Sequence, residues 1–176
     1  MSTTLTRGHR RIVGVLAALS SALALVPAAQ AQAAAGRTSA ACTARFTATI
    51  TPGFSMTTSS GTFTTHGQTG SFTCLGRIGG HRVTGPGSIG VEETYTGACA
   101  SHVGTGTVRI IVPTTAGTKD MVGALTVRRT ALVVLPQVQF SGARFGGIGL
   151  SVPAQGNCFV TPLRRVLLLV AGAMSG

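Results

Sequence analysis

Apolar and polar residues alternate with a period of two along most of this chain beyond about residue 44, and no helical-period stretch interrupts them. That pattern dictates strands with one buried face. In Arg45-Phe46-Thr47-Ala48-Thr49-Ile50-Thr51 the even positions are apolar and the odd ones are Arg or Thr, and Pro52-Gly53 ends the run. A Ser/Thr-rich loop carrying Phe54 and Met56 leads to a short strand over Thr62–His66, with Phe63 and His66 on opposite faces. Ser71–Ile78 sets Phe72, Cys74 and Ile78 on one face, and Gly79-Gly80 supplies the positive φ of a tight hairpin turn. Val83–Tyr95 alternates again, with a bend or bulge expected at Gly85-Pro86-Gly87. After a loop holding Cys99, strands are expected over Thr107–Val112, Ala124–Leu135, Gln137–Phe145, Ile148–Val152 and Val166–Val170, with Thr114–Asp120 as a turn.

Eight or nine short strands at a spacing near ten residues, without crossover helices, predict an all-β fold. Short connections favour a single antiparallel β-barrel or barrel-like meander; a Greek-key sandwich is the alternative. The apolar run Val166-Leu167-Leu168-Leu169-Val170 is far shorter than the roughly 20 residues that span a bilayer and reads as a buried strand.

The alternation does not extend to the first thirty-odd residues. Arg7, His9, Arg10 and Arg11 precede an apolar run from Ile12 to Val26, Pro27 breaks it, and Ala29-Gln30-Ala31 offers a small-x-small cleavage site. This order is that of a secretory signal peptide. Residues 1–31 are accordingly expected to be removed, 32–43 to form a loose mature N-terminus, and 44–176 to form the single all-β domain. Of the fourteen cations, removal of Arg7, Arg10 and Arg11 leaves eleven against three acids (Glu92, Glu93 and Asp120), a net charge of +8. Such a charge steers the protein toward anions. Outside a cell these are anionic envelope polymers or lipid headgroups; specific nucleic-acid binding is not expected, because base-stacking aromatics are scarce.

Cys42, Cys74, Cys99 and Cys158 all lie in the exported part, and an even number in an oxidising compartment reads as two disulfides. In an up-and-down arrangement Cys42 with Cys74 and Cys99 with Cys158 is the favoured pairing; Cys42–Cys158 with Cys74–Cys99, which would join the first and last strands, stays open. No C-x-x-C or H-x₃-H spacing occurs, so no metal site and no cofactor are expected.

Catalytic constellations are equally scarce. Glu92 and Glu93 are neighbours and point to opposite faces of a strand, and Asp120 sits in the expected turn, so paired-carboxylate chemistry would need Glu93 and Asp120 to meet. His66, His81 and His102 exist, but no Gly-x-Ser-x-Gly elbow accompanies them. An enzyme is therefore not the expected reading. The sharpest feature is a parity coincidence. Glu93 and Tyr95 share the inward parity of Ile89 and Val91, and Arg129 shares that of Leu125 and Val127. An inward Arg–Glu pair with Tyr95 beside it would line a polar ligand pocket. The expected reading is a non-enzymatic extracellular binding or envelope-associated protein, with a barrel carrying a small apolar ligand as the rival and an enzyme as a lower third.

Gly70-Ser71-Phe72-Thr73-Cys74, Val83-Thr84-Gly85-Pro86-Gly87 and Gly156-Asn157-Cys158 resemble small exported Thr/Gly-rich β proteins of actinobacteria. The resemblance covers much of the exported region, and its motifs are turn and disulfide punctuation. It implies the β fold and the bridges, and no activity.

Overall fold

The structure is a computed structural model that describes residues 36–176; the expected signal peptide lies outside the described residues. Those residues form ten strands and no helix: β1 (Ser39–Phe54), β2 (Ser59–Thr64), β3 (Gly70–Ile78), β4 (His81–Arg82), β5 (Gly87–Gly97), β6 (Ser101–Thr114), β7 (Gly117–Thr130), β8 (Val133–Phe140), β9 (Ala143–Gln155) and β10 (Leu163–Ser175). From β5 to β10 each strand pairs antiparallel with the next, as short hairpins require. The last strand returns to the first over a long ladder, from Ser39↔Ser175 to Thr49↔Arg165. β3 joins the N-terminal half of β1 to β5, and β2 joins its C-terminal half to β5. The sheet thus closes into a barrel-like ring of eight strands, leaving few free edges to aggregate.

Period two governs what fills the ring. In β1, Ala40, Cys42, Ala44, Phe46, Ala48 and Ile50 are buried, while most of their neighbours face solvent. Phe63, Phe72, Val108, Leu125, Val138, Phe140, Phe145 and Leu168 complete an apolar core. A fully buried side chain of this size stabilises by about 1.5–3 kcal/mol.

Several boundaries differ from the sequence expectation. β1 begins at Ser39, inside the segment expected to be loose, because Ala40 and Cys42 already alternate and β10 supplies their backbone partners. Phe54 belongs to β1 rather than to a loop, and is only 1% exposed. β6 starts at Ser101 and β7 at Gly117, with a tight Thr115-Ala116 connection where a longer turn was expected. The single strand expected over Ala124–Leu135 is two: Ala131-Leu132 turn the chain, with Ala131 at φ 52°. Ser141-Gly142 likewise split Gln137–Phe145, with Gly142 at φ 75°. Pro136 does not end a strand but lies within β8, where the β8–β9 ladder skips from Val134↔Gly149 to Gln137↔Gly146. On that side its missing N–H leaves no rung broken. The expected bend at Gly85-Pro86 is present, between β4 and β5.

Both disulfides are formed, consistent with an oxidising environment. Cys42 and Cys74 face each other directly across β1 and β3, which pair in register, so no bend is needed to bring them together. Cys99, after β5, is bridged to Cys158, in the loop before β10. The loops closed span sequence separations of 32 and 59, and each bridge stabilises by about 4 kcal/mol through restriction of the unfolded chain.

Candidate functional site

Glu93, Tyr95 and Arg129 all point into the ring, and Glu93 and Arg129 are 6% and 5% exposed. They do not form the expected Arg–Glu pair. β6 runs between β5 and β7: Glu93 faces Gly106, whereas Arg129 faces His102, so the two charges sit two strands and four residues apart. Glu93 instead meets His102, with Nε2 3.5 Å from Oε1, a contact at the outer limit of hydrogen-bond distance. Arg129 lies over the Phe54 ring, its Cζ 5.3 Å from the centroid. Phe54 also stacks on His102 at 4.6 Å and tilts against Tyr95 at 4.4 Å. A buried carboxylate, imidazole, phenol and guanidinium are thus gathered around one phenyl ring.

Gly104 makes room for this cluster. It takes an inward position on β6, and a Cβ there would fall within the Glu93 carboxylate. The cluster is poorly satisfied by protein partners. Glu93 Oε1, Tyr95 OH, His102 Nδ1, Arg129 Nε and Arg129 Nη1 are buried without a hydrogen bond. Removal from water pushes the Arg129 guanidinium below its usual range. Phe54, Glu93, His102 and Arg129 also line a cavity of about 60 Å³, together with apolar side chains such as Phe46, Phe63, Val108, Leu125, Phe140 and Leu168.

The other chemical candidates stay apart from it. Glu92 is exposed on the outer face. Asp120 is also outside, where Arg109 Nε donates to its Oδ1 at 2.9 Å, so Glu93 and Asp120 do not meet. That hydrogen bond lowers the Asp120 pKa and raises that of Arg109. His66 is exposed in the β2–β3 turn and His81 sits in β4, neither beside a carboxylate among the described residues. No group of three His, Cys, Asp or Glu residues with metal-holding geometry occurs among the described residues.

A second unusual region is on the outside. On β8, β9 and β10 the outward parity is apolar as well: Val133, Leu135, Ile148, Leu150, Val152 and Leu169 are exposed. They are contiguous, since Leu169 pairs with Leu150, Leu150 with Val133, and Leu167 with Val152. Arg128 lies directly opposite Leu135, and Arg45 directly opposite Leu169. Arg144 and Arg165 are exposed on β9 and β10. Compared with known proteins, the chain matches no family model, no curated protein and no solved structure.

Proposed function

We propose that this is an exported, non-enzymatic envelope-binding protein that works through its outer surface, with anionic envelope polymers or lipid headgroups as partners. One observation carries the reading. From Met121 to Gly176 the sequence holds five arginines and no Asp or Glu, and Arg128, Arg144, Arg164 and Arg165 are exposed. Among the described residues none of these four has a carboxylate within ion-pair distance. An acid-free, arginine-bearing flank attracts polyanions and has no internal charge to compete with them. The test is retention of the exported protein on isolated cell envelope across a salt series. Charge-driven binding weakens steeply between low and physiological salt; retention that ignores salt, or no retention at all, contradicts the reading.

The rival, a carrier of a small apolar ligand inside the ring, has one observation in its favour: an interior cavity lined largely by apolar side chains such as Phe46, Phe63, Val108 and Leu168. The volume counts against it. About 60 Å³ is less than half of the roughly 150 Å³ that admits benzene. It is far from the roughly 300–1,000 Å³ of ordinary ligand pockets. A screen of small apolar ligands by thermal shift decides: stabilisation that disappears in Phe63→Trp, which fills the cavity, would favour the carrier.

A further inference from the structure

We infer that the partner of the acid-free flank is an anionic lipid bilayer, docked against the outer face of β8–β10 with the β9–β10 loop inserted. The inference rests on the envelope-binding reading and deepens it by naming the partner. Charge alone would suit a teichoic or polysaccharide chain equally well, but such a chain has no use for exposed leucines. Here the outward positions of three consecutive strands carry Val133, Leu135, Ile148, Leu150, Val152 and Leu169, and Leu150 is 53% exposed. A contiguous apolar face of this kind marks an interaction site rather than ordinary surface. Its border is cationic: Arg128 stands across from Leu135 on the β7 side, and Arg45 across from Leu169 on the β1 side. Apolar surface ringed by guanidinium groups matches an interface of acyl chains beneath phosphate headgroups.

The loop joining β9 to β10 follows directly from the end of β9 that carries Leu150 and Val152. Phe159 and Val160 are 81% and 84% exposed, the most exposed large apolar residues among those described. The loop is held firmly. Cys158 is bridged to Cys99, and Asn157 Oδ1 accepts hydrogen bonds from the backbone N–H groups of Phe159 and Val160 at 3.1 and 2.9 Å. Arg164 and Arg165 follow immediately at the start of β10. An aromatic and a valine presented on a stapled tip, beside two arginines, form a wedge that enters a headgroup layer with little loss of conformational entropy. A second copy of the chain is the other obvious cover for an apolar face. A two-fold contact through this face would set one arginine border against another with no carboxylate on β8, β9 or β10 to neutralise it, so self-association is disfavoured by charge.

The experiment is flotation of the exported protein with vesicles of phosphatidylcholine, alone or mixed with phosphatidylglycerol, beside binding to soluble polyphosphate. Binding to the mixed vesicles and not to the neutral ones is expected. Replacing Arg45 and Arg128 by Gln should weaken it by about fivefold per arginine, and Leu150→Ser with Leu169→Ser by about tenfold or more, with polyphosphate binding unchanged by the leucine changes. The chain has no tryptophan, so Phe159→Trp provides a single tryptophan whose emission should shift to the blue on the mixed vesicles. Vesicle binding no better than polyphosphate binding, indifferent to the leucine pair, would overturn the lipid assignment and leave the envelope reading standing. Binding to neither anion overturns both. A dimer in sedimentation velocity that the leucine pair dissolves, without vesicle binding, assigns the face to self-association and also ends the proposal.

Discussion

The interior end of the ring around Phe54 and the outer face of β8–β10 break the same rule in opposite directions. Along these strands inward parity should be apolar and outward parity polar. Around Phe54 the inward positions carry Glu93, His102 and Arg129; on β8–β10 the outward ones carry Val133, Leu135, Ile148, Leu150 and Leu169. The two exceptions cost different things. Buried charges with unmet hydrogen-bonding atoms draw on folding stability, whereas exposed leucines leave the fold nearly untouched and incur their cost only as a tendency to associate. Stability therefore responds to changes inside, and association to changes outside.

The largest contrast is between two apolar truncations. Phe54→Ala removes the ring on which Arg129, His102 and Tyr95 rest and should cost about 3–5 kcal/mol, while Leu150→Ala should stay within about 0.5 kcal/mol. Chemical denaturation of both variants measures the difference; similar losses would mean that the outer face is part of the core. Next in size is Gly104→Ala, whose added methyl group collides with the Glu93 side chain. A loss of about 1–3 kcal/mol is expected, and Glu93→Ala in the same chain should recover part of it; a double-mutant cycle without coupling would refute the close approach.

Arg129→Met sharpens the point further. Because Arg129 makes no ion pair with Glu93, replacing its desolvated cation by a side chain of similar shape should leave stability unchanged or raise it by about 1 kcal/mol. A loss of more than about 3 kcal/mol, the usual penalty for breaking a buried pair, would show that the two charges act together after all. The smallest effect belongs to the exposed Arg109–Asp120 pair. Its hydrogen bond lowers the folded-state pKa of Asp120, so whatever stability it contributes is present above the ordinary carboxylate range and fades as pH falls through that lowered value. The acid limb of the stability profile should differ only slightly between the protein and Asp120→Asn, and less in high salt.

Much of this is legible in the alternation alone. The inward orientation of Glu93, Tyr95 and Arg129 follows from their parity with Ile89, Val91, Leu125 and Val127. Parity does not reveal how strands are offset, and the offset across β6 is what separates Glu93 from Arg129. The inward orientation of His102 is hidden for a related reason. The inward series His102, Gly104, Gly106 and Val108 has glycine where an apolar residue would announce a strand, and the outward series is broken by Val103, so only Thr105 and Thr107 offer a faint signal. The turn at Ala131-Leu132 has neither glycine nor proline, so Val127 to Leu135 reads as continuous. Phe54 follows Pro52-Gly53, a pair that ordinarily stops a strand; here β1 continues past it, and Phe54 pairs with Leu163 after a register shift. The outer face is invisible to a search for one buried side, because on β10 both parities are apolar.

The central claim, that the outside of the ring is where this protein meets its partner, is tested most directly by comparing two variants on isolated cell envelope. Leu150→Ser with Leu169→Ser alters only the outer face, and Arg129→Met only the interior. With both folded by circular dichroism, the outer variant should lose retention on the envelope by about tenfold and the interior variant should bind as the parent does. Retention lost in Arg129→Met and kept in the leucine pair would place the binding site inside the ring and contradict the account.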